Sequence, residues 1–94
     1  MDDILDKVCG HFGVAQQQVF SKSRKRNYVL VRQVSMYLAQ KYTKMPASRI
    51  GQLIGGRDHS TVLHSCSAIE ERLKVDKAFQ AELTSIENSF KLKV

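Results

Sequence analysis

The chain has 94 residues, 43% of them hydrophobic and 7% aromatic with no tryptophan. That fits one domain with a modest core and excludes a two-domain protein or a disordered chain. The formal charge of +6 is unevenly placed: Lys7, Lys22, Arg24, Lys25, Arg26, Arg32, Lys41, Lys44, Arg49 and Arg57 fall between Asp6 and Asp58 with no Asp or Glu among them, a one-signed field that points to a polyanion, nucleic acid first and an acidic membrane surface second.

In chain order the periodicity predicts an all-α domain of about six helices. Asp2 to about Phe12 places Ile4, Leu5, Val8 and Phe12 on one stripe, with Asp2, Asp3 and Asp6 complementing the positive end of the helix dipole. Gly13 is a natural stop, and a short helix follows from Ala15 to Phe20. "SKSRKRN" has no apolar period and reads as a basic loop. From about Tyr28 to Tyr42, Leu30, Val31, Val34, Tyr37, Leu38 and Tyr42 share one side, and Arg32, Gln33, Met36 and Gln40 the other. A brief helix runs from Ala47 to about Ile54 and ends at Gly55-Gly56. A longer helix spans His59 to about Leu73, and Asp76 caps a last one bearing Phe79, Leu83, Ile86 and Phe90. The two cysteines, Cys9 and Cys66, form no CxxC pair, which fits a reducing compartment. No run nears about eighteen apolar residues, and the start is acidic, so the expected location is the cytoplasm.

The stretch "GGRDHSTVLH", residues 55–64, holds the densest chemistry. It is not a nucleotide loop, because Arg57 follows the glycines where GK[ST] is needed and no strand precedes it. Asp58-His59-Ser60 is not a triad, since consecutive helical residues point about 100° apart. His59 and His64 are in the wrong register for zinc, with no thiolate or carboxylate beside them. No enzyme, catalytic group, metal site or cofactor is expected in these residues.

A short helix, a glycine turn and a longer helix form a helix-turn-helix over about 47–74. On the longer helix Val62, Cys66, Ile69 and Leu73 make the buried stripe, and Ser60, His64, Ser67 and Glu71 lie opposite, with Thr61 and Ala68 at a flank. Small polar groups at the exposed start of such a helix are what a major groove admits. Asp58 has two roles open to it, as N-cap and as acceptor from cytosine. Ser60 and Thr61 likewise either tidy the first turn or read bases, with His59 beside them. Arg57 stands just before them, placed for phosphate. The "SKSRKR" loop can send Arg24 into the narrow minor groove of A·T-rich DNA.

These stretches, with "RQVSMYLAQKYT" and "IGQLIGGRDHSTVLHSCSAIE", closely resemble the C-terminal DNA-binding domain of the bacterial replication initiator DnaA, from about Asp3 to Phe90. The resemblance implies binding of double-stranded DNA at nine-base-pair origin boxes of the TTATNCACA type, one monomer per box, in the nucleoid. It implies minor-groove reading by Arg24 and major-groove reading by Asp58, His59, Ser60 and Thr61. Phosphate contacts fall on Arg32, Gln33, Thr61 and His64 and on the amides near Ala47 and Ser48. Relatives often carry proline at Val31 and lysines at Gln40 and Ala68; Lys41 is the expected substitute for the first lysine. The resemblance further implies a preceding ATPase domain that binds ATP, this chain being an isolated domain with Met1 introduced, and contacts with acidic phospholipids and regulatory proteins in the full-length context. A transcription regulator on the same motif, or a basic module docking on acidic lipid or protein, are the alternatives. The basic loop and the initiator-like signature argue against the first, and discrimination of single base pairs separates the second from the DnaA reading.

Overall fold

A computed structural model describes residues 2–91, apart from the side chains of Asp2, Phe90 and Lys91. The expectations for Met1, the Asp2 carboxylate and the Phe90 end of the last stripe lie outside the described residues. Six helices follow one another: α1 Asp2–Phe12, α2 Gln16–Phe20, α3 Arg26–Tyr42, α4 Ala47–Leu53, α5 His59–Val75 and α6 Lys77–Lys91. None is long and apolar enough to cross a membrane.

The third helix is the axis of the domain. It packs against α1, α2, α4 and α5, and most of its circumference is therefore interior. Val31, Val34, Leu38 and Ala39 are fully buried against these neighbours. So are Ser35 and Met36, and Arg32 is only 6% exposed. The side of α3 opposite the apolar stripe is thus interior as well, with Arg32 enclosed by carbonyls of α2 and of residues 21 and 23. The helix also begins at Arg26 instead of Tyr28, which confines the irregular arm to residues 21–25.

The helix-turn-helix is built on close backbone approach. After α4 the chain turns through Gly55 and Gly56 at φ of 77° and 70°, a left-handed geometry that side chains disfavour. Asp58 then caps α5 by accepting from the Thr61 amide at 2.9 Å. Within α4, Gly51 lets the turn fold back: its carbonyl accepts from the Arg57 amide at 2.8 Å, and a Cβ on it would lie 2.0 Å from the Arg57 carbonyl oxygen. Ile50, Ile54, Val62 and Ile69 seal this unit against α3. Asp76 ends α5 and caps α6, accepting from the Phe79 amide at 3.0 Å, as its position in the sequence led one to expect. Both cysteines are unbridged and buried. Burial, with Glu70 nearby, pushes the Cys66 thiol up to about 11.

Gly51→Ala forces backbone apart and is expected to lower stability by about 1–3 kcal/mol. Gly10 is helical with nothing near its missing Cβ, so Gly10→Ala is expected to raise it by roughly 0.5–1 kcal/mol. Thermal melts of the two variants beside the parent check both signs.

Candidate nucleic-acid interface

The first turn of α5 presents Asp58, His59, Ser60 and Thr61, all exposed, while Val62, Ser65, Cys66 and Ile69 turn inward. His64 and Ser67 continue the outward face. Hydrogen bonds from the Thr61 hydroxyl and amide, with a smaller contribution from His59, hold the Asp58 carboxyl below its usual range. The acid is therefore ionised and acceptor-only at neutral pH.

Two adjoining hollows extend this turn into a continuous surface. An open groove of about 490 Å³ between α3 and α5 is lined by Val29, Arg32, Gln33, Met36, Arg57, Asp58, Ser60, Thr61, His64 and Ser65. A second of about 400 Å³ is lined by Lys22, Arg24, Arg32, Gly55, Gly56 and Arg57. The structure thereby gathers Arg24, Arg32, Gln33, Arg57, Asp58, Ser60, Thr61 and His64 at one surface, with His59 exposed on the same turn. Ala47 and Ser48 line neither hollow. Their amides open the first turn of α4 behind Pro46, which has no side-chain acceptor.

Arg32 works from beneath. Its Nε donates to the Val19 carbonyl (2.7 Å), Nη1 to that of Ser23 (2.6 Å), and Nη2 to those of Ser21 (2.7 Å) and Gln18 (3.2 Å). Burial and the like charge of Arg57 push its guanidinium below the ordinary range. The signal for this inward turn lies in the sequence, because Arg32 shares a helical stripe with Val29, Met36 and Ala39. Nothing local in the sequence marks Gln18, Val19, Ser21 or Ser23 as its partners.

Gln40 and Lys41 line neither hollow. Lys41 is about 100° round the helix from Gln40, and its ammonium meets the buried Glu87 of α6 at 3.0 Å, a hydrogen bond that pushes the lysine pKa up. Lys41, expected to stand in for a lysine at Gln40, stays half-exposed in this pair. Tyr42 donates to the same Glu87 carboxylate.

The arm's charges are otherwise unopposed. Among the described residues the ion pairs are His11–Glu82, Lys41–Glu87, Arg72–Asp76 and Lys74–Glu71. None involves Lys22, Arg24, Lys25, Arg26, Arg32 or Arg57. Uncompensated cations beside exposed hydrogen-bonding groups suit a surface that meets phosphate and base edges together.

A helix-turn-helix with an exposed polar first turn and a basic rim outside any ion pair defines a nucleic-acid-binding module by fold and by surface. The family described as "Bacterial dnaA protein helix-turn-helix" matches residues 1–69. The Chromosomal replication initiator protein DnaA of Bacteroides thetaiotaomicron is 50% identical over 93 residues, 99% of this chain and 20% of that protein. Those of Bacteroides fragilis and Thermus thermophilus are 45% and 38% identical over 97% and 89% of this chain, each across 19% of their own length. The chain belongs to the bacterial DnaA helix-turn-helix family, and it spans about a fifth of the length of these curated relatives.

Two outcomes follow from the geometry. Arg32→Ala strands loop carbonyls and is expected to lower stability by about 2–3 kcal/mol, read by urea unfolding. For Asp58, a depressed folded pKa means that the cap's contribution is present above the ordinary carboxylate range and is lost as pH falls through the folded pKa. Melting temperatures between about pH 6 and pH 3 are therefore expected to fall more steeply for the parent than for Asp58→Asn, which keeps a capping oxygen without the charge.

Proposed function

We propose that this domain binds double-stranded DNA with base specificity, as one monomer on a nine-base-pair box of the TTATNCACA type, in the initiation of chromosome replication. The observation that carries the reading is the continuous surface joining the arm of Arg24 to the exposed first turn of α5. The turn enters the major groove. Asp58 accepts from a cytosine amine, His59 and Ser60 hydrogen-bond to base edges, and Thr61 adds a hydroxyl and a methyl suited to thymine. Arg24 reaches the minor groove at the A·T-rich end, where narrowness concentrates negative potential.

Gln33, His64 and the opening amides of α4 at Ala47 and Ser48 fix the register on the backbone. Arg32 serves them indirectly by holding the arm. Cations without acidic partners release counterions on binding, so affinity falls as salt rises.

Fluorescence anisotropy with a labelled TTATCCACA duplex, near physiological salt, tests the reading against duplexes with single-base changes. The intact box is expected to win, each central mismatch weakening binding by roughly 1–3 kcal/mol. His59→Ala is expected to cost a similar 1–3 kcal/mol on the box and little on scrambled DNA. Equal binding to every duplex would overturn the assignment and leave a basic helical surface.

A further inference from the structure

The basic arm and the reading turn are distant in sequence and tied in space by one side chain. Arg57 donates from Nη1 to the Ile54 carbonyl at 2.7 Å, within the turn, and from Nη2 to the Ser21 carbonyl at 2.9 Å, at the root of the arm. Its own amide is bound to Gly51, so the residue is anchored at both ends. The Ser21 carbonyl also accepts from Arg32, so the arm's root is gripped from α3 and from the turn at once. Gly55 keeps the route open, for a Cβ there would stand 2.1 Å from Arg57 Nη1 and 3.1 Å from the Phe20 carbonyl oxygen. A residue serving phosphate alone would leave its fork to solvent. Arg57 commits both terminal nitrogens to the protein's own carbonyls.

We propose that Arg57 is a positioning residue for reading in two grooves: it fixes the spacing between the arm bearing Arg24 and the turn bearing Asp58 and His59, so that both engage one duplex together. The inference rests on the DNA reading above. It differs from the phosphate role expected of Arg57 in what a charge-conserving substitution does. A lysine keeps the positive charge for phosphate but has a single nitrogen, which cannot span the Ile54 and Ser21 carbonyls as a rigid fork does.

The test is a double-mutant cycle on the box and on a box with G·C pairs at its A·T-rich end, using the parent, Arg57→Lys, Arg24→Ala and the double variant. Melting curves establish that each is folded. Positioning predicts that Arg24→Ala weakens the parent about tenfold and the Arg57→Lys protein less than about threefold. It also predicts that Arg57→Lys loses preference for the A·T end while His59→Ala keeps its full effect in that background. Equal penalties for Arg24→Ala in both backgrounds would overturn the proposal. Backbone ¹⁵N relaxation of the DNA-free protein separates this from failure of the DNA reading. Order parameters for residues 22–25 are expected to drop below about 0.6 in Arg57→Lys with α5 unchanged, and unaltered values would overturn the tie whatever the parent does on DNA.

Discussion

A buried guanidinium must be solvated by something, and the way Arg32 is solvated shapes the half of the domain that faces outward. No carboxylate is near; backbone carbonyls from α2 and the arm turn inward to replace water around the cation. The arm is consequently not a floppy basic tail. Ser21 and Ser23 are bent around Arg32, while Lys22, Arg24 and Lys25 project. A short loop with little internal structure acquires a fixed point of departure from a charge that belongs to another helix.

The second half of the surface obeys a different constraint, the closeness of two backbones. Gly51 and the turn after Ile54 touch with no room for a Cβ, and this sets the entry of α5. Asp58, the first residue of the reading turn, is also the residue that starts the helix. On the proposed DNA reading, structure and recognition share one carboxylate there, one oxygen engaged with the Thr61 amide. Replacing it therefore changes the helix start and the chemistry of the reading edge together, whereas His59 beside it carries no such double duty.

Much of this was legible in the sequence because it is local. The stripe Val62, Cys66, Ile69 predicts the buried side of α5, and the DHST stretch marks its exposed polar first turn. The caps at Asp58 and Asp76 follow from residue type and place. What resisted was α3. A helix with four neighbours is buried on more than its apolar stripe, so the side bearing Arg32 and Met36 is internal as well. The partner of Lys41 is equally hidden from local pattern, because Glu87, which pairs with the lysine, is contributed by α6. The clasp of Arg57 on Ser21 joins residues thirty-six apart, and no periodicity encodes it.

The absence of any acidic residue between Asp6 and Asp58 has a consequence for the domain when it stands alone. Lys22, Arg24, Arg32 and Arg57 line one hollow without an acidic residue beside them, so the native state carries internal repulsion there. Dissolved ions relieve that repulsion and firm the free fold. The same ions compete with the cations for a polyanion and loosen the complex. Ionic strength thus acts with opposite sign on the two equilibria, and the buffer that favours the tightest complex is the one in which the unliganded domain melts most easily.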